Sequence, residues 1–383
     1  MASKSGSVDP SRYKDELFDL YSIPAFDKGH SEVVEGREIG SSKQIVHPGD
    51  VLLSKIVPHI RRAWVVQREQ GHRIIASGEW IVFRSNRFNP RYLRHVLTSD
   101  SFHAQFMNTV AGVGGSLVRA RPAFAAKIKI PLPPLAEQKR IAEVLGKAEE
   151  LRAKRRAALA QLDSLTQSIF LEMFGDPIEN ERRWDEVQVR DFVAGFESGK
   201  SLVADDEDSQ ESPYRVLKVS AVTSLCFRPD ESKALPSDYI PPRSHVVQKG
   251  DLLFSRANTA DLIGATALVD EVTENIVLPD KLWRFVWHTP RNANQSFVRF
   301  LFQHPKFRHE IGKRATGTSG SMKNISQEKV LGITCALPPM ELQEKFDRRV
   351  AAVEKLKATQ RASLAELDTL FASVQQRAFR GDL

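Results

Sequence analysis

The chain has 383 residues, enough for more than one domain with its own core, and a formal charge of +7 that suits a polyanionic partner. Its two cysteines, Cys226 and Cys335, exclude a disulfide framework or a zinc ribbon, and no histidine pairs with a cysteine or another histidine at metal-ligand spacing. No apolar run could span a bilayer and the polar start MASKSGSVDPSRYKDE has no signal core, so a cytoplasmic protein without membrane contact is expected.

In chain order, the first globular segment covers residues 1–130. FDLYSIPAF reads as an extended piece broken by Pro24, and VHPGDVLLSKI as a Pro-Gly turn feeding a buried strand. AWVVQ and IIASGEWIVFR continue as strands, and PRYLRHVLTSDSFHAQFMNTV as two helices. A glycine-rich loop, Gly112 to Ser116, precedes a last strand. Residues 131–176 form a long helix that opens on LPPL and stops at Gly175-Asp176-Pro177. Residues 177–336 form a second globule, and residues 337–383 a second helix, from LPPM to FRGDL.

The second half echoes the first. VQKGDLLFSRA repeats VHPGDVLLSKI, DKLWRFVW sits where IIASGEWIVF sits, and Gly317 to Ser321 stands opposite Gly112 to Ser116. A globule and a rod, twice over, is the plan of the chain, and such a repeat outweighs any local propensity. WDEVQVRDFVAGFESGKSLVADDEDSQE has no counterpart at the N-terminus, so the first globule lacks an opening strand and helix or borrows them from elsewhere. Trp64, Trp80, Trp283 and Trp287 fall on strand patterns and read as core.

Both rods carry heptad patterning without internal proline. In the first, Ile141, Ala148, Leu162 and Ile169 form one row, and Val144, Leu151, Ala158 and Leu165 a second. In the second rod Phe346, Val353, Leu367 and Val374 repeat the first row, with Val350, Leu356, Leu364, Leu370 and Phe371 filling the others. Arg155 and Gln360 interrupt the first row at corresponding places, either to fix register or to meet DNA. Rods of roughly 38 residues span on the order of 57 Å, too long to stand alone, and each is the other's simplest antiparallel partner. The packing residues expected are Ile141, Leu151, Leu162, Leu165, Ile169, Phe346, Val353, Leu367, Leu370 and Val374.

Catalytic motifs are missing. Phe88-Asn89-Pro90-Arg91-Tyr92 resembles a methyltransferase loop but has Arg in place of the second Pro. Pro229-Asp230-Glu231-Ser232-Lys233 imitates a nuclease pattern without the residues that separate its two acids. Gly112-Val-Gly-Gly-Ser lacks the lysine of a phosphate-binding loop. The positive signals are cationic and amide side chains that could meet phosphates and base edges: Lys55, His59, Arg61, Arg62, Arg68, Arg119 and Arg121, then Lys200, Arg256, Asn258, Lys313, Arg314, Lys323 and Asn324. Lys55 and Arg256 end the same strand of the repeat.

The paired LPPL-x-EQ-x-x-I…LD-x-L…F-x-G-D elements and the GD-x-LLSK/GDLLFSR strands resemble the DNA specificity subunits of type I restriction-modification enzymes, over almost the whole chain. The resemblance implies an α+β chain in which two globular target-recognition domains are separated by two long antiparallel helices in a coiled coil with an internal pseudo-twofold repeat. It also implies a non-catalytic, cofactor-free subunit. Each globule would read one half of a split double-stranded DNA target, and the helices would set the gap and dock two methyltransferase (modification) subunits. S-adenosylmethionine would belong to those subunits, and ATP with Mg to the restriction/translocase subunits. The competing readings are a nucleic-acid enzyme in its own right, against which the missing motifs argue, and a coiled-coil scaffold that binds only proteins.

Overall fold

The computed structural model describes residues 6–67, 71–111, 118–201, 213–270, 275–317 and 322–382. It is a mixed helix-and-sheet structure that divides into two compact units, Met1–Ala157 with Gln360–Leu383, and Ala158–Thr359. Two long helices, Leu135–Phe174 and Met340–Arg380, each contribute to both units.

Unit 1 holds a five-stranded sheet in the order Ser7–Val8, Lys43–Ile45, Arg73–Ala76, Leu17–Tyr21 and Glu32–Glu35, antiparallel except where Leu17–Tyr21 runs beside Arg73–Ala76. A second, antiparallel sheet sets Val51–Ser54 between Ala63–Val65 and Trp80–Phe83. The strand Val51–Ser54 is buried throughout, because it is covered on both faces. In unit 2 the matching strand, Leu252–Ser255, lies between Thr266–Leu268 and Leu282–Trp287, and Val193–Ser198 is added at the edge. That extra strand belongs to the stretch with no N-terminal counterpart. Trp80 and Trp283 are buried, whereas Trp64 and Trp287 are half-buried.

The Gly-Asp turn has the same cause in both units. Gly49 (φ 91°) and Gly250 (φ 92°) take the left-handed conformation that a side chain resists. The carboxylates of Asp50 and Asp251 then accept from the backbone N–H of His47 and of Gln248, each at 2.8 Å. Arg84 neutralises Asp50 at 2.6 Å, and Arg284 neutralises Asp251 at 3.3 Å.

Each long helix begins with a glutamine whose carboxamide is buried. Gln138 donates to the carbonyl of Pro133 (2.7 Å) and accepts from the N–H of Asn89 (2.7 Å), the cap of the helix Pro90–Leu97. Gln343 repeats this with Pro338 (2.7 Å) and Asn294, the cap of the helix Gln295–Gln303 (2.8 Å). The proline-proline-x-x-x-Gln spacing is therefore a local latch. Asn89 spends its side chain capping Tyr92 N–H, which accounts for the Asn-Pro of the methyltransferase-like motif.

The helices run antiparallel in each unit. In unit 1 Arg152 ion-pairs with Asp368, and Arg155 donates to the Gln360 carboxamide at 2.5 Å. The two polar interruptions therefore meet each other. In unit 2 Lys357 reaches Asp163 at 2.7 Å. Ile141, Phe346 and Val353 are buried, and Leu162, Ile169, Leu367 and Val374 are half-buried.

Leu151, Leu165 and Leu370 depart from expectation. They are 51%, 44% and 54% exposed and make no seam. The second row at the seam is shifted by one residue, to Leu145, Arg152, Leu159 and Thr166 on one helix and Val350, Lys357, Leu364, Phe371 and Ala378 on the other. Arg152 and Lys357 can sit there because their apolar stems cover the seam while carboxylates meet their heads. Burial opposes the charge on Lys357, but hydrogen bonds to Asp163 and Glu354 raise its pKa above the usual lysine value.

The first globule closes on the C-terminal helix. Tyr92 and Val96 pack with Ile141, Leu145, Phe371, Val374, Ala378 and Phe379. His95 is 1% exposed there, its Nδ1 3.5 Å from Glu149, beside Arg94 and near the Phe371 ring. Burial, with the charge of Arg94, pushes its pKa down to about 3. The unfolded chain takes up this proton near 6.5, so the stability gained from a neutral His95 is complete above that pH. Unfolding titrations between about pH 4 and 7 should show stability falling with acid by up to roughly 1.4 kcal/mol per pH unit, and His95→Gln should flatten that limb.

Candidate nucleic-acid interface

The strand after the Gly-Asp turn ends the same way in both units. Ser54 and Ser255 turn their hydroxyls back to the carbonyls of Ile56 (3.0 Å) and Ala257 (3.5 Å). The next residue, Lys55 or Arg256, is then clamped by its backbone on both sides. Lys55 N–H donates to the Glu79 carbonyl (3.0 Å), and its own carbonyl accepts from Ala120 N–H (2.8 Å). Arg256 N–H donates to the Lys281 carbonyl (3.1 Å), and its carbonyl accepts from Ile325 N–H (3.0 Å). Antiparallel pairing follows at once, Ile56 with Arg119 and Ala257 with Asn324.

Backbone pairing thus builds a ledge in each unit. The ledge of unit 1 brings together Lys55 and Arg119. That of unit 2 brings together Arg256, Asn258, Lys323 and Asn324, and Asn258 stands opposite Lys323. Lys200 bridges to Pro279, beside Asp280, whose carbonyl accepts from Arg256 Nε at 2.8 Å. The Arg256 guanidinium also lies 5.8 Å over the Trp283 ring. Asn258 accepts from Thr259 N–H at 2.9 Å, and Lys323 donates to the Gly317 carbonyl at 3.2 Å.

Other candidate residues lie off these ledges. Arg62 is 9% exposed and holds Asp27 with two hydrogen bonds, of 2.8 and 2.9 Å. That bond holds the Asp27 carboxyl below its ordinary value, and Arg62 is a brace rather than a phosphate contact. Arg61 pairs with Asp100 at 2.6 Å, and Lys313 and Arg314 share Glu310. These are partly exposed ion pairs, of a kind that contributes at most about 1 kcal/mol. Arg121 stacks 4.1 Å over Phe124 and donates to the Thr109 carbonyl. His59 is exposed, whereas Arg68, Gly112 to Ser116 and most of Gly317 to Ser321 lie outside the described residues. In the nuclease-like stretch, Glu231 accepts from Ser220 and pairs with Arg228, so it is a braced turn.

Two ledge residues were not singled out in the sequence. Glu79 takes Arg119 in a two-bond grip, Nε and Nη2 each 3.2 Å from a carboxylate oxygen, and raises the pKa of the guanidinium. Lys281 stands at the position in unit 2 that Glu79 holds in unit 1. The signal was present, because GEW and DKLW occupy corresponding places in the repeat, but a single charge at the start of a strand does not announce itself. Among the described residues no group of three His, Cys, Asp or Glu could hold a metal ion, and no helix is long and apolar enough to cross a membrane.

The comparisons with known proteins agree with this organisation. The specificity subunit of the type I restriction enzyme EcoKI from Escherichia coli K12 is 25% identical over 307 residues, covering 76% of this chain and 65% of that protein, just under two thirds of its length. A chain solved in work on complex assembly and conformational transition of the type I R-M system matches at a TM-score of 0.56 and 20% identity, over 100% of this chain and 96% of that one. The type I S subunit from M. genitalium matches at a TM-score of 0.54 and 11% identity, over 98% and 92%. The chain is similar to type I specificity subunits over most of its length. No protein-family model matches it. At these identities, the likeness to the solved specificity subunits concerns the fold.

The two kinds of cation should separate in a salt titration of DNA affinity. Lys323→Ala should weaken binding about equally on all sequences and reduce the slope of log K against log salt by about 0.9. Arg62→Ala should leave that slope unchanged and lower the unfolding free energy by about 1 kcal/mol.

Proposed function

We propose that the chain is the DNA specificity subunit of a type I restriction-modification complex. In this reading unit 1 and unit 2 are target-recognition domains, each reading one half of a bipartite double-stranded target. The paired long helices form a coiled-coil spacer with pseudo-twofold symmetry that fixes the gap between the half-sites. The observation that carries the reading is the repeated ledge: the same backbone clamp displays Lys55 with Arg119 in one unit and Arg256 with Lys323 and Asn324 in the other. Cations meet phosphates there, and the forked or amide side chains can read base edges. The subunit itself performs no chemistry. S-adenosylmethionine is used by the modification subunits, and ATP with Mg by the restriction subunits.

The exposed leucines support docking of two copies of one partner. Leu151 and Leu356 are 51% and 54% exposed, and Leu165 and Leu370 are 44% and 54% exposed. Within each pair the residues are separated by the same offset as the LPPL and LPPM starts, so the repeat presents one apolar surface twice. Burying a leucine contributes roughly 1.5–3 kcal/mol. Leu151→Glu, Leu165→Glu, Leu356→Glu and Leu370→Glu combined, which remove the surface from both units, should therefore weaken capture of a modification subunit at least about tenfold while the DNA affinity of the chain stays unchanged. Equal capture by variant and parent would remove these leucines from the interface.

Co-expression with a modification subunit followed by mapping of genomic methylation tests the whole reading. The expected product is a split motif with a fixed gap, and that gap should widen when both helices are lengthened by one turn. A gap that ignores helix length would defeat the spacer role, and an undivided motif would defeat recognition by two domains.

A further inference from the structure

Glu79 and Arg119 form an ion pair whose geometry leaves half of the guanidinium unused. The carboxylate takes the Nε–Nη2 edge, and among the described residues nothing takes the Nη1–Nη2 edge. The Arg119 side chain is 44% exposed, on the ledge next to Lys55. Arg62 is gripped by Asp27 along the same edge, but with 11% side-chain exposure it has nothing left to offer a ligand. Arg84 is gripped the same way by Asp50, whose carboxylate is 2% exposed and needs neutralising. Glu79 is 30% exposed and needs no such neutralisation.

We propose that Arg119, oriented by Glu79, reads a guanine in the half-site bound by unit 1. This rests on the DNA-specificity reading above and assigns one base contact within it. Guanine presents O6 and N7 side by side in the major groove, and the free edge of a guanidinium matches both acceptors with two parallel hydrogen bonds. A carboxylate on the other edge fixes the plane of the fork before DNA arrives, which an unsupported arginine cannot do. Lys55, whose backbone is clamped beside it, supplies the phosphate contact that sets the fork's height. The repeat supports the pairing of roles. In unit 2 the place of Arg119 is taken by Asn324 and that of Glu79 by Lys281, so the carboxylate is present where there is an arginine to orient and absent where there is none.

Selection of bound duplexes from a randomised pool by the purified full chain, with any methyltransferase that co-purifies, tests this directly. For Arg119→Ala, one guanine position should lose its preference by roughly 5- to 150-fold, with the other half-site unchanged as an internal control for folding. Arg119→Lys should not restore that position, since a point charge cannot make the paired contact. Glu79→Ala should weaken preference at the same position by a smaller factor. A motif left intact with uniformly weaker binding would make Arg119 a phosphate contact and overturn the assignment, as would loss of both half-sites in the alanine and lysine variants alike. If the unsubstituted chain enriches no split motif, the DNA-specificity reading itself fails, an outcome distinct from the others.

Discussion

The side chain of Gln138 is sealed from water, so both ends of its carboxamide must be satisfied inside the protein. One end holds the proline carbonyl that starts the long helix, and the other holds the cap of a globule helix. Gln343 does the same at the start of the second long helix. An amide left without either partner would cost about 1–3 kcal/mol, so helix start and globule are locked in one arrangement. Everything downstream inherits that arrangement. The heptad phase begins from a fixed residue, and Ile141 or Phe346, one turn later, necessarily faces the core. The recurring proline pair and glutamine in the sequence are the two ends of this latch.

Much of the fold was legible because repetition exposes framework residues. The Gly-Asp turn, the serine that closes the strand and the glycine that ends each long helix (Gly175, φ 73°, and Gly381, φ 86°) each recur for a backbone reason, and backbone reasons survive when side chains diverge. The seam of the long helices was legible in its first row and, through Val350, Leu364 and Phe371, in part of its second. Counting apolar residues favours Leu151 and Leu165 over Arg152 and Thr166, yet the latter row is inside. The count cannot see that Arg152 finds Asp368, or Lys357 finds Asp163, on the opposite helix. A cation with its counter-charge across the seam packs like an apolar side chain, and leucine is displaced to the surface.

The candidate interface was legible in outline for the same reason. Lys55 and Arg256 were visible as strand ends, and the strand after each glycine-rich loop was visible as their neighbour. Arg62 could not be sorted from them, because its partner Asp27 lies far back in the chain and no spacing rule connects the two. Glu79 went unseen for a related reason. Its contribution to the ledge comes through its backbone carbonyl as much as through its carboxylate, and a carbonyl has no sequence signature.

The two ledges share a scaffold and differ in electrostatics. Backbone hydrogen bonds hold Lys55 and Arg256 alike, so the side chains around them are free to vary. In unit 1 the pairing of Glu79 with Arg119 cancels one charge and leaves Lys55 as the uncompensated cation of the clamp. In unit 2 Arg256 stands 3.9 Å from Asp280, and Lys200 and Lys323 lie on backbone pairings of the same ledge. On the proposed reading, both ledges supply phosphate attraction, a term whose salt dependence follows the number of cations brought to the backbone. In unit 1 geometry adds to it: a fork whose plane is fixed in advance discriminates among bases without adding much charge. Each unit can then hold its own half-site through cations set by the shared backbone clamp while its variable side chains test the sequence.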